Sequence, residues 1–166
     1  KLARGEYLAF IDADDIWKAN KLLFQIKFMT NNNIDISHTS YFIINNNGKI
    51  ISKRTAKKKL YYKDLIKSCD IGLSTVIVKK KLFLKYKFSS NITKEDYSLW
   101  LRISKKHTIY GINKELALWR KTKNSLSSNF FQKIYDAYNI YYYQEKFSFM
   151  KSLIKVLTLS INYLKK

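Results

Sequence analysis

A five-residue apolar run, Tyr7-Leu8-Ala9-Phe10-Ile11, breaks directly into Asp12-Ala13-Asp14-Asp15. A short apolar run ending in charge is the pattern of a strand buried on both faces that stops at the carboxyl edge of a parallel sheet. Ligand sites in open α/β sheets lie at that edge. Three of the chain's 12 acidic residues crowd into this loop, which is unfavourable for like charges unless a cation or hydrogen-bond donors compensate. Hard cations such as Mg²⁺ or Mn²⁺ take carboxylate oxygens, commonly one or two together with substrate phosphates. Read from spacing alone, the loop also allows a plainer arrangement in which one Asp caps the next helix and the others are solvated.

The rest of the chain supplies the other layers of an α/β fold. From Lys18 to Thr30, Leu22, Leu23, Ile26 and Met29 recur at helical spacing before Asn31-Asn32-Asn33. Ser40 to Ser52 reads as two strands about Asn47-Gly48, a dipeptide favoured where both central turn residues need positive φ. Lys53 to Lys59 reads as a basic loop, Leu60 to Ser68 as a short helix and Leu73 to Val78 as a strand. A helix over Tyr97 to Ser104 begins near Thr93, and Thr93 with Asp96 has the spacing of a capping box. The last stretch, from about Phe147 to Lys166, is an amphipathic helix with Ser148, Lys151, Ser152, Lys155, Thr158, Asn162 and Lys165 on one face. It can dock on its own domain or lie on an anionic bilayer.

The balance of 32 basic against 12 acidic residues gives a formal charge of +20. Such a charge attracts polyanions: nucleic acid, anionic lipid or nucleotide diphosphates. The joint abundance of Lys, Asn, Ile, Tyr and Phe with no Pro is also what an A/T-rich coding sequence produces without selection for a polyanion. The single cysteine, Cys69, cannot form an internal disulfide and lacks companions for a zinc cluster, so a reducing compartment, the cytoplasm, is expected. No stretch reaches the roughly 18 apolar residues of a membrane-spanning helix, and the N-terminus has no signal-peptide layout.

Four segments carry a resemblance to a known family. Ala3-Arg4-Gly5-Glu6 followed by the apolar run and Asp12-Ala13-Asp14-Asp15-Ile16-Trp17 comes first, then Cys69 to Phe83. Glu95-Asp96-Tyr97-Ser98-Leu99-Trp100-Leu101-Arg102 follows, and last comes Leu116-Ala117-Leu118-Trp119-Arg120 with Ser125 and Ser127. In this order they resemble the motifs of family-two inverting glycosyltransferases with the GT-A fold. The resemblance implies a Rossmann-related mixed sheet flanked by helices and a partial catalytic domain over residues 1–128; by its spacing, 129–166 reads as a C-terminal helical, membrane-associating extension. The resemblance also implies that the chain lacks the nucleotide-binding strands at the front of the domain, roughly 60 residues by the size of a βαβ unit.

By the same resemblance, Asp12 contacts the nucleotide of a sugar donor, and Asp14 holds a Mn²⁺ or Mg²⁺ ion with Asp15 as a further ligand. Asp96 is implied as general base, with Glu95 able to assist, and Arg102 and Arg120 are placed near the diphosphate or acceptor. Inversion at an anomeric carbon requires a base for the acceptor hydroxyl and stabilisation of the departing diphosphate. One departure stands out: many relatives carry a His two residues after the late Arg, where this chain has Thr122. His38 and His107 lie elsewhere and read as structural.

The expected activity is transfer of a sugar from a nucleotide-sugar donor to a saccharide or lipid-linked acceptor in cell-surface glycan biosynthesis. The expected place is the cytoplasm, peripheral at the inner membrane face. Two alternatives remain at this level, a basic nucleic-acid-binding module and an inactive remnant of a transferase. The acidic loop argues against nucleic acid as a partner.

Overall fold

The computed structural model of the chain describes residues 2–88, 94–122 and 130–164. Its strands are β1 (Tyr7–Ala9), β2 (Ile16–Trp17), β3 (Ile36–Ile44), β4 (Ile50–Arg54), β5 (Lys59–Leu60), β6 (Ile77–Lys79) and β7 (Ile109–Arg120). They join in one sheet of order β1-β6-β3-β7-β2, with β4 also on β3 and β5 on β7. Among the described residues only β3 and β7 run parallel, so the sheet is mixed. The helices are α1 (Lys21–Asn31), α2 (Tyr62–Leu65), α3 (Lys80–Tyr86), α4 (Glu95–Ser104), α5 (Phe130–Asn139) and α6 (Phe149–Leu164), with a 3₁₀ turn at Leu73–Thr75 and a π-helical turn at Ile140–Gln144.

The main core lies between the sheet and α2, α4 and the C-terminal helices. Ile36, Leu65, Val78, Trp100, Ile103 and Tyr141 belong to it, and Val156 of α6 joins the same cluster. Residues from both 1–128 and 129–166 therefore share one core. The hydroxyls of Tyr97 and Tyr141 meet at 2.8 Å, and the Tyr97 hydroxyl lies 3.0 Å from the Leu65 carbonyl it donates to. Glu145, buried, accepts from Tyr62 and pairs with Lys105 at 2.8 Å.

Several local readings change. Among the described residues the strand leading to the acidic loop pairs with β6 alone, antiparallel rather than parallel, and Ala9 is exposed. Helix α1 turns a different face inward: Lys21, Gln25 and Met29 are buried while Leu22 and Leu23 face solvent. Hydrogen bonding decides this, because Gln25 Nε2 donates to Ser37 O, Ser37 Oγ and Thr75 O at 3.2, 3.0 and 3.0 Å.

The β3–β4 turn is longer than a two-residue hairpin. Gly48 N–H closes a turn on Asn45 O at 3.0 Å, and only Gly48, at φ +79°, takes positive φ there. The stretch from Leu73 begins as 3₁₀ and becomes strand only at Ile77. Strand β7 extends well upstream of the late motif, because irregular register with β3 at Thr39, Ser40 and Tyr41 accommodates the polar Asn113-Lys114-Glu115 that breaks its alternation. Thr93, Ser125, Ser127, Lys165 and Lys166 lie outside the described residues, so the capping pair of Thr93 with Asp96 falls there too. Helix α4 has Lys94 as its N-cap, with no side-chain hydrogen bond at that cap.

Candidate active site

The acidic loop is a tight turn between β1 and β2, closed by Asp15 N–H donating to Asp12 O at 3.1 Å. Three other elements hold it. From the 3₁₀ turn, Ser74 Oγ accepts the Asp12 N–H at 2.9 Å, and Ser74 O accepts the Trp17 indole N–H at 2.6 Å. From the end of β7, Arg120 N–H donates to Asp15 Oδ1 at 2.8 Å, and its Nε donates to Asp14 O at 2.9 Å. The same guanidinium reaches the hairpin through Nη1, to Asn45 O at 3.1 Å and Asn46 O at 3.0 Å. Arg120 thus clamps the loop through its backbone.

The three loop carboxylates sit in different surroundings. Asp14 is exposed, Asp12 half-buried and Asp15 buried. Burial raises the Asp12 pKa above the usual carboxylate value, and the charges of Asp96 and then Asp14 raise it further. Asp15 is raised chiefly by burial and secondarily by Asp12 and Asp14. The Ser74 hydroxyl and the Arg120 N–H beside it pull the other way. Asp15 Oδ2 is buried and accepts no hydrogen bond among the described residues.

Asp96 occupies the first turn of α4, where its Oδ1 accepts the Tyr97 N–H at 2.6 Å. Burial pushes its pKa up and Glu95 adds to that, while the Tyr97 N–H and Lys94 oppose it. Among neighbouring charges Asp96 raises the Asp12 pKa more than Asp14 does, so the start of α4 lies within electrostatic reach of the acidic loop although 84 positions (96 − 12) separate them. Glu95 next to it is exposed. Cys69, from the segment before the 3₁₀ turn, lies near Asp96, and its thiol is pushed up to about 12 chiefly by burial.

Arg102 is placed differently. Its Nη1 and Nη2 donate to Tyr86 O and Lys87 O, each at 2.6 Å, at the end of α3. It closes that helix rather than joining the Asp12–Arg120 cluster. His38 is fully buried, and burial depresses its pKa to about 4, so it is neutral at pH 7. Ser74 escaped the sequence reading as a site residue. The only signal for it was its place in the acceptor-side segment, since nothing in spacing shows that one hydroxyl will meet a loop 62 positions away.

The residues present fit a hard divalent cation. Crowded carboxylates with pKa values raised by burial and mutual repulsion, and an orphaned buried oxygen on Asp15, are what such an ion satisfies. Among the described residues, no three His, Cys, Asp or Glu side chains are grouped to hold an ion unaided. The fitting mode is therefore the one with one or two carboxylates and ligand phosphates completing the shell.

Comparison with known proteins bears on the same segments. The family model described as glycosyl transferase family 2 matches residues 1–91. UDP-Glc:alpha-D-GlcNAc-diphosphoundecaprenol beta-1,3-glucosyltransferase WfgD of Escherichia coli is 43% identical over 136 residues, covering 81% of this chain and 53% of that protein. The putative teichuronic acid biosynthesis glycosyltransferase TuaG of Bacillus subtilis is 34% identical over 90% of this chain and 60% of its own length. The chain thus spans little more than half the length of these relatives. Among solved structures, S. aureus TarS 1–349 in complex with UDP-GlcNAc superposes with a TM-score of 0.60 at 17% identity, over 83% of this chain and 41% of that one, a likeness of fold. The family match and the likeness of fold agree, and the chain belongs to glycosyl transferase family 2.

Proposed function

We propose that the protein containing this chain transfers a sugar with inversion from a nucleotide-sugar donor to a saccharide or lipid-linked acceptor, in assembly of a cell-surface glycan. The observation that carries this reading is the acidic loop that Ser74 and Arg120 hold in shape, with the charge of Asp96 within reach of Asp12. WfgD acts with UDP-Glc on a diphosphoundecaprenol-linked sugar and TuaG in teichuronic acid synthesis, as their names state. A UDP-sugar donor and a polyprenyl diphosphate-linked acceptor are the matching classes here.

In this reading Asp96 takes the proton of the acceptor hydroxyl as that oxygen bonds to the anomeric carbon and the bond to the nucleoside diphosphate breaks. Its surroundings suit the task, since burial and Glu95 lift its basicity while the Tyr97 N–H fixes its orientation. Asp12 orients the nucleotide, and Arg120 and Ser74 hold the loop in shape. Arg102 keeps its anchoring position at α3. Asp14 and Asp15 hold the divalent cation that enzymes of this family generally use. Bound there, Mg²⁺ or Mn²⁺ supplies charge neutralisation for the departing diphosphate.

The enzyme works in the cytoplasm, peripheral to the inner membrane face. Nucleic acid is not its partner, and protection against heat by UDP with Mn²⁺, with none from DNA or RNA, separates the two readings. The main test titrates Mn²⁺ and Mg²⁺ against turnover of the full-length enzyme. Turnover collapses in excess chelator and, for Asp14→Ala, falls by at least tenfold at any metal concentration. Full activity in chelator removes the cation's role, and normal turnover of Asp14→Ala removes that residue's.

A further inference from the structure

Helix α6 faces the protein with its less apolar side. Ser152 and Val156 are its buried positions, and Asn162 Nδ2 donates to Lys67 O at 2.9 Å. The apolar stripe formed by Met150, Ile154, Leu157, Ile161 and Leu164 points away, each residue at least 50% exposed. This is the reverse of what burial of apolar area favours, and it marks a surface made for an apolar partner.

The stripe does not stop with α6. Tyr138 of α5 makes an edge contact with Phe149 at 6.0 Å and stacks on Tyr142 at 5.5 Å, with Tyr135 one turn back and exposed. Tyrosines bordering an aliphatic surface suit the boundary between hydrocarbon and water. The surrounding charge has one sign. Both acidic residues between 130 and 164, Asp136 and Glu145, are buried, which leaves Lys146 and Lys151 exposed and Lys133 and Lys155 half-buried. A 16-residue helix spans about 24 Å, and among the described residues no helix is long and apolar enough to cross a membrane.

We propose that α5 and α6 together form a docking surface for an anionic bilayer, with α6 lying in the plane of the interface. This deepens the transferase reading and rests on it for its purpose. The end of α6 meets Lys67, which opens the stretch that runs to Ser74, and the Ser74 hydroxyl accepts the Asp12 N–H at 2.9 Å. A bilayer seated on α6 therefore lies on the side from which that stretch enters the site, where a lipid-linked sugar would arrive.

The test uses full-length protein and sedimentation with vesicles of phosphatidylglycerol or of phosphatidylcholine. Wild type partitions at least tenfold better onto phosphatidylglycerol, and the preference shrinks at high salt. Leu157→Glu with Ile161→Glu loses at least tenfold in partitioning, and Lys151→Glu loses severalfold, with melting temperatures unchanged because these side chains are exposed. Turnover of a water-soluble acceptor analogue is unchanged in both variants, so failure of docking and failure of the transferase reading are distinguished. Equal partitioning of the variants, or indifference to lipid charge, overturns the proposal. So does a wild-type dimer that Leu157→Glu dissociates, which assigns the stripe to a second copy. Slow maleimide labelling of lipid-free Leu157→Cys, measured against unsubstituted protein, also overturns it by showing that another part of the full-length chain covers the stripe.

Discussion

Helix α6 is the more apolar of α4 and α6, yet it is α4 that buries its apolar residues. Helix α4 buries Leu99, Trp100, Leu101 and Ile103 completely, whereas α6 leaves its apolar stripe in solvent and buries a serine. The difference follows from what each must present. Helix α4 has core on nearly every side, so its apolar residues fix its axis and thereby the position of Asp96 at its N-terminal end. Helix α6 is held along its inner side by Ser152, Val156 and Asn162, and its outer face is left for something else. Precision at a reacting group comes from packing around the element that bears it, and a surface helix forgoes that packing in exchange for a partner.

Three substitutions sharpen this contrast. The largest effect falls on activity. Asp96→Asn should lower kcat by about 10²–10⁴-fold, the usual worth of a general base. Folding raises the Asp96 pKa above 3.8, so its charged form weakens the fold at neutral pH and asparagine leaves the melting temperature unchanged or higher. The same shift sets the sign of the pH dependence: wild-type turnover is lost as pH falls through a value above the ordinary carboxylate range. Turnover, melting curves and a pH–rate profile measure all of this. A destabilised variant whose folded fraction turns over normally would show that Asp96 only caps α4.

Next comes Trp100→Ala, which empties the centre of the core beneath Asp96 and should cost about 3–5 kcal/mol in denaturant unfolding. Activity falls with it because α4 loses its seat. Smallest is Leu157→Ser on α6, whose side chain is 62% exposed; its effect on unfolding should stay within about 0.5 kcal/mol. A cost comparable to that of Trp100→Ala would mean that the stripe is already covered in the full-length protein, and the contrast between the helices would disappear.

Much of this was legible in the residues. The acidic turn after an apolar strand, the helix starting at Glu95-Asp96 and the Trp119-Arg120 ending are local patterns, and their order along the chain pointed to the family. Periodicity failed where hydrogen bonding outranks hydrophobicity. On α1, Leu22 and Leu23 look like the core face, but Gln25 finds three acceptors on the sheet side and turns the helix by its own bonds. Strand β7 was not read as a strand, because Asn113, Lys114 and Glu115 break an alternation that the irregular pairing with β3 tolerates.

The sequence by itself determined which groups are chemically able to act: Asp12, Asp14, Asp15 and Asp96 as carboxylates, Arg102 and Arg120 as cations, and an amphipathic basic C-terminus. Only the tertiary structure decided which of them meet. It set Asp96 within electrostatic reach of Asp12, gave Arg120 the Asp14 carbonyl and Arg102 the end of α3, recruited Ser74 to the loop, and chose which side of α6 faces inward. The reason is that reactivity and local propensity are properties of residue type and near neighbours. Proximity across tens of positions is instead set by how the sheet orders its strands and by which buried polar groups find partners when the layers close.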